Sequence, residues 1–254
     1  MQLLGHFVRM LDLSLFPAAR DKAIATSDGQ GGIGTYGERL VHKSLKYFLE
    51  PDDDNHEVAI YGSVADIRNE KGIFEIQTRS FNKLLPKLER FLLEERVTVV
   101  CPIIENKYIV RTDTETGEST PPRRSPKRGR PSDALAEISM IRRFIPNDNL
   151  TVLVMMLDAD EIRMMKGRTR IGRKTTSKIN TIPISLNSII ELKTAADYRA
   201  LVPDGLSDGF TQLEFESISG LRRIAAHGAL MLLLQLGIIT RERQGREAYK
   251  YYFC

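Results

Sequence analysis

The chain has 254 residues, of which 42% are hydrophobic and 28% charged; this supports a sizeable core and excludes wholesale disorder. Lysine and arginine number 37 against 33 acids, a formal charge of +4, and an excess this mild matters through its distribution more than its total. The two cysteines, Cys101 and Cys254, form no metal-ligand or redox spacing and suit a reduced, cytoplasmic chain.

The N-terminal stretch "MQLLGHFVRMLDLSLFPAAR" is apolar, but His6, Arg9 and Asp12 interrupt it, so no signal peptide is expected. Residues 21–34 are rich in glycine and serine and read as a loop. In "TYGERLVHKSLKYFLE" the positions Leu40, Leu45, Phe48 and Leu49 predict a helix, stopped by Pro51 and the aspartates after it. "HEVAIYG" and "VADIR" read as consecutive strands, and "NEKG" as the turn into a third, "IFEIQT". The next segment, "SFNKLLPKLERFLLEE", predicts a second helix with Leu84, Leu88, Phe91 and Leu92 on one face. Pro86 falls near its start, where proline is tolerated.

"VTVVCPII" is a short continuous apolar run, expected at a sheet centre covered on both sides, with "KYIVRTD" as its hairpin partner. A third helix is expected over "SDALAEISMIRRFI", with Ser132 as N-cap, then a long strand over "NLTVLVMMLDADEIRMM". This order predicts an α/β fold with a mixed central sheet flanked by helices. Residues 163–178 hold seven basic residues and no acid. Beyond about residue 190 the composition shifts, which divides the chain into an α/β domain at 1–190 and a small domain at 191–254. The run "ALMLLLQLGII", residues 229–239, is too short to span a bilayer and suits a buried helix; no membrane partner is expected.

Acids stand inside two segments that otherwise read as buried strand: Asp66 in "VADIR" and Glu75 in "IFEIQT". A buried, unpaired carboxylate costs free energy, and two close together repel; a divalent cation offsets both. Glu75 and Gln77 point to one side of their strand. With the strands paired as read, Asp66 joins them at one sheet edge and Glu38 reaches in from the preceding helix. Magnesium prefers such hard oxygen donors and shares its shell with water and phosphate. The plainer alternative puts Asp66 at a strand end on the surface and pairs Glu75 with Arg68 or Arg79.

The order helix glutamate, strand aspartate, then acid-x-lysine on the next strand resembles the PD-(D/E)XK nuclease superfamily, over roughly residues 35–105. The resemblance implies that Asp66 and Glu75 bind Mg2+ or Mn2+, that Glu38 supports them, and that a phosphodiester of DNA is hydrolysed. Gln77 stands where the family has lysine, as it does in some restriction endonucleases, and would orient water; Lys83 would supply the missing charge. Gln77 also keeps open a second reading, a DNA-binding regulator whose nuclease fold is inactive.

Nucleic acid is also the partner expected from the basic stretches. The loop at 118–131 carries Arg123, Arg124, Lys127, Arg128 and Arg130. Its Arg128-Gly129-Arg130-Pro131 resembles an AT-hook core, slim enough for a narrow minor groove; a solvated loop that meets phosphate is the plainer alternative. The C-terminal segment resembles a winged helix-turn-helix. "TQLEFESI" would be its second helix and "LRRIAAHGALMLLLQLG" its third, with Leu221, Ile224, Leu232 and Leu236 inward and Arg222, Arg223 and His227 outward. A wing would carry Arg241, Arg243 and Arg246. Such a domain would place the catalytic core on duplex DNA, and a cut through both strands would suit a homodimer. Protein–protein contact is the alternative use of the same module.

Overall fold

The computed structural model describes residues 11–27, 37–113, 116–168 and 174–254, with the side chains of 37–39, 166–168 and 174–175 left aside. Helix α1 (Phe16–Ala25) is followed by α2 (Gly37–Leu49). All four residues of the expected α2 stripe, Leu40, Leu45, Phe48 and Leu49, are buried. The rings of Phe16 and Phe48 meet edge to face at 5.7 Å and tie the two helices together.

Strands β1 (His56–Ile60), β2 (Ser63–Asn69) and β3 (Gly72–Ile76) form the expected antiparallel meander. The β2–β3 turn closes on Gly72, at φ 115, where a Cβ would sit 2.4 Å from the carbonyl oxygen of Arg96. Only glycine fits that approach. Helix α3 (Leu85–Glu94) then carries the chain across to β4 (Val97–Asp113), which lies parallel to β3.

β4 differs from the expected hairpin. It runs unbroken through Glu105-Asn106-Lys107, a polar triplet that imitates a turn, and absorbs it with a register shift between Ile104 and Asn106. Its antiparallel neighbour is the two-residue β5 (Arg123–Arg124). The expected third helix is also shorter, α4 (Ala134–Ile138) giving way to a 3-10 turn over Ser139–Phe144.

Strands β6 (Leu150–Arg168) and β7 (Lys174–Leu192) complete a mixed seven-stranded sheet in the order β1-β2-β3-β4-β6-β7, with β5 on β4. Both faces of the sheet are covered. Val100, Leu153, Met155 and Leu157 pack with Phe16, Val41 and Leu45 of the first two helices. Val99, Cys101, Val152 and Val154 pack instead with α3, α4 and the C-terminal segment. This two-sided burial explains the nearly continuous apolar reading of β4 and β6.

The C-terminal segment comprises α5 (Ala195–Arg199), β8 (Phe210–Thr211), α6 (Gln212–Ser219), α7 (Arg223–Gln235), β9 (Ile239–Glu242) and β10 (Lys250–Phe253). Its small sheet has the order β8-β10-β9. Thr211 caps α6 with a reciprocal Glu214 bond, and Gly220, at φ 72, ends it. The buried residues of α7 are Ala226, Ala229, Leu230, Leu232 and Leu233, so Leu232 is inside as expected, whereas Ile224, also expected inside, is 89% exposed. The helix seats Gly228 on the 3-10 turn, where a Cβ would lie 2.5 Å from Ser139 Oγ. Phe210, Phe215, Leu230 and Tyr251 join the same apolar cluster as Val99 and Val152 of the large sheet.

Candidate functional site

The acids meet where β2 and β3 part. Their ladder pairs Ile67 with Phe74 and Arg68 with Ile73, and one further step of that register sets Asp66 across from Glu75. On β3 the N–H groups of Ile73 and Gln77 go to β4, to the carbonyls of Arg96 and Val100. The N–H of Ile76 therefore points to β2, and Asp66 Oδ2 accepts it at 2.8 Å. A side chain thus takes a bond that the ladder would otherwise make. It fixes the carboxylate at the fork between the strands.

His42 donates to the same oxygen from α2, Nε2 to Oδ2 at 3.1 Å. Burial alone would raise the Asp66 pKa, but the His42 bond, the Ile76 N–H and the charge of Lys87 hold it below its ordinary value. Glu75 is more deeply enclosed, its side chain only 2% exposed. Burial and the neighbouring Asp66 charge push it up to about 7. Lys87 of α3 counters this in part, giving hydrogen bonds of 3.1 and 2.8 Å to the two Glu75 oxygens. The two carboxylates are thus set apart electrostatically, one held ionised and the other poised near neutrality.

Both acids line a cleft of about 860 Å3 together with His42, Lys43, Lys46, Tyr47, Asp53, His56, Glu57, Gln77 and Lys87. Gln77 turns its amide to the backbone oxygen of Arg79. Lys83 is exposed on the 3-10 turn before α3, so the cation that reaches the acids is Lys87, one helical turn later. Glu38 lies one turn before His42 on α2; its side chain is outside the described residues.

Neither Lys87 nor His42 is among the site residues expected from the sequence. The spacing held a signal for both. His42 follows Glu38 by four residues, and Lys87 precedes the buried Phe91 by four, so each sits one turn along a helix from a residue already of interest.

The donor set was tested against a divalent cation. Among the described residues no group of three or more His, Cys, Asp or Glu is gathered to hold a metal ion. Two carboxylates that raise each other's cost of ionisation suit a cation that takes few protein ligands and fills its shell with water and phosphate, which is the habit of Mg2+.

The ten basic side chains expected to meet nucleic acid are all exposed: Arg123, Arg124, Lys127, Arg128, Arg130, Arg222, Arg223, Arg241, Arg243 and Arg246. The loop, however, is clipped to the protein. Arg124 donates to Asn106 Oδ1 at 2.7 Å, Arg128 pairs with Glu105, and Arg130 donates to the backbone oxygen of Ile218 at 3.1 Å. Gly129 is held hardest, since a Cβ there would fall 2.2 Å from the carbonyl oxygen of Ile104. The Arg130 contact brings this loop to the turn between α6 and α7, beside Arg222 and Arg223. On the β9–β10 hairpin, Arg241 and Arg243 lie over the ring of Tyr249 at 4.6 and 5.3 Å.

The chain belongs to the family described as Domain of unknown function (DUF8091), which matches residues 39–193. That stretch contains His42, Asp66, Glu75, Gln77 and Lys87. An uncharacterized protein of Treponema pallidum (strain Nichols) is 30% identical over 141 residues, 54% of this chain and 56% of that protein. The chain thus spans little more than half the length of that relative. No solved structure matches. Among the described residues no helix is long and apolar enough to cross a membrane.

Proposed function

We propose that this chain is a metal-dependent nuclease that hydrolyses phosphodiester bonds in DNA, with Asp66 and Glu75 as ligands of Mg2+ or Mn2+. The observation that carries the reading is the pairing of these acids at one strand fork, in one cleft, with Lys87 on Glu75 at 2.8 Å. Asp66 and Glu75 would hold the divalent cation, which when bound would supply an acidified water and neutralise developing charge on the phosphate. His42 keeps Asp66 oriented through Nε2. Lys87 contributes the positive charge that Gln77 lacks, from the following helix instead of the strand. As the water oxygen bonds to phosphorus it releases a proton to solvent, the bond to the leaving oxygen breaks, and that oxygen takes a proton from solvent.

The exposed arginines of the loop and of the C-terminal segment supply sequence-independent phosphate contacts. The order β8-α6-α7-β9-β10 supports a winged-helix reading, and such a module would seat the core on duplex. The two free thiols, Cys101 and Cys254, fit a cytoplasmic setting. A second reading, an inactive DNA-binding regulator, is favoured by one observation: the Gln77 amide is engaged with Arg79. Incubation of plasmid, short duplex and single strands with Mg2+ or Mn2+ separates the two. Nicking or linearisation by wild type that is lost in Asp66→Asn supports the nuclease. Salt-sensitive binding without cutting, equal in both proteins, supports the regulator.

A further inference from the structure

The cleft that holds Asp66 and Glu75 continues past His42 to a second group of charges that the proposed hydrolysis does not use. Lys43 and Lys46 line it from α2, and Asp53, His56 and Glu57 from the opposite wall. We propose that Lys46 and Lys43 form a subsite for a second phosphate of the nucleic-acid strand, and that the Glu57 carboxylate occupies the subsite until that strand binds. The inference rests on the nuclease reading for the identity of the strand.

Three observations carry it. Lys46 is only 7% exposed, and burying an ammonium is costly without a good partner. Its partner in the ion pair is Glu57, whose side chain is 61% exposed. A buried cation answered by a solvated, mobile-length acid is a pairing that water and competing anions can reach from one side.

Glu57 is also held in an unusual backbone state. It lies at φ 50 within edge strand β1, a left-handed conformation that is unfavourable for a non-glycine residue and collects at functional sites. The β1–β2 pairing runs normally on either side, His56 with Ile67 and Val58 with Ala65. The departure is confined to the one residue whose carboxylate covers Lys46.

Lys43 precedes Lys46 by three residues and so shares its helix face. Burial and the charge of Lys46 lower the Lys43 pKa, as expected of two ammoniums short of anions. Asp53 offsets this only in part, since it is paired with Lys22 at 3.2 Å. His56 donates from Nε2 to the carbonyl of Glu50 at 2.8 Å and meets the Tyr47 ring at a tilt of 55°, which makes it wall and not ligand. Four residues of helix separate His42 from Lys46, about 6 Å along the axis. Both groups are therefore within reach of one strand lying in the cleft.

The test is anisotropy of a fluorescein-labelled 12-base deoxyoligonucleotide, single-stranded and as duplex, in EDTA, against wild type, Lys46→Gln, Lys46→Arg and Glu57→Gln. Melting curves are taken on each protein. A subsite requires opposite signs: Lys46→Gln weakens binding by about tenfold, Glu57→Gln tightens it severalfold, and Lys46→Arg stays near wild type. A structural ion pair gives no such split, and binding unmoved or weakened in Glu57→Gln overturns the subsite. So does the absence of oligonucleotide binding in all four proteins. Cleavage with Mg2+ is read separately. Cutting by a wild type whose binding ignores Lys46 and Glu57 leaves the nuclease and removes the subsite. Binding with the predicted split but no cutting leaves the subsite and removes the nuclease.

Discussion

Asp66 and His42 are joined at 3.1 Å across the gap between β2 and α2, and the same Asp66 oxygen accepts the Ile76 N–H at 2.8 Å. One carboxylate oxygen thus ties a helix to two strands. Asp66→Ala removes an acceptor from a buried N–H and is expected to cost about 1–3 kcal/mol, whereas Asp66→Asn keeps an acceptor. Urea denaturation of both variants should rank them in that order, while both lose cleavage.

His42→Ala removes the group that orients the proposed metal ligand Asp66 but no proposed ligand itself. Such partners are typically worth about 10–100-fold in metal affinity or activity. The Mg2+ concentration for half-maximal cleavage should rise by that factor in His42→Ala, with the maximal rate less affected than in Asp66→Asn.

Glu75 predicts an unusual stability profile in EDTA. Its folded pKa of about 7 lies above the ordinary 4.5, so between those values the folded chain binds more protons than the unfolded one. Stability therefore falls as pH rises through that window and levels off above it, by about 3 kcal/mol in total. Glu75→Gln should flatten the profile. Addition of Mg2+ should also flatten it, since a bound cation favours the ionised form. Chemical denaturation at pH 4.5, 6 and 7.5 reads the slope.

Lys87→Met leaves the Glu75 carboxylate buried beside Asp66 with no cation on it. Its destabilisation should be small near pH 5, where Glu75 is protonated in both proteins, and large near pH 8. The double variant Glu75→Gln with Lys87→Met should recover most of the loss, because the cost lies in the uncompensated charge.

Gly129→Ala should separate the two uses of the basic loop. The added carbon meets the Ile104 carbonyl at 2.2 Å, so the loop must lift from β4 at a cost of about 1–3 kcal/mol. A loop that binds phosphate in its docked form loses affinity in this variant, whereas a freely extended hook keeps it. Gel shifts over a range of salt concentrations decide this.

Much of the fold was legible because periodicity reports burial. The α2 stripe, the meander, the two-sided first half of β4 and the long strand β6 all follow from spacing alone, as does the placement of Asp66 beside Glu75. Errors arose where one residue type serves two structures. Glu105-Asn106-Lys107 has turn composition, yet β4 takes it as an irregularity whose polar groups are satisfied sideways: Asn106 bonds Asp158, and Glu105 bonds Asn187 and Arg128. Ile224 fits an inward stripe by spacing, but Gly228 lets α7 approach Ser139 and sets the helix rotation. His42 and Lys87 were hidden for another reason. Helical spacing relates them only to Glu38 and Phe91 on their own helices; their contacts with Asp66 and Glu75 depend on how far α2 and α3 lie from the strand fork, a tertiary distance.

The apolar cluster that runs from Ala65 to Tyr251 has a consequence for how the chain is made. Side chains that close the α3 side of the large sheet, among them Phe210, Leu230 and Leu233, are synthesised after every strand of that sheet. Until they emerge, only α3, α4 and the 3-10 turn cover the face of β4 and β6 that carries Val99, Cys101, Val152 and Val154. During synthesis the outer side of that helical layer is therefore bare, a state that invites chaperone binding or self-association, and truncation before residue 210 would make it permanent.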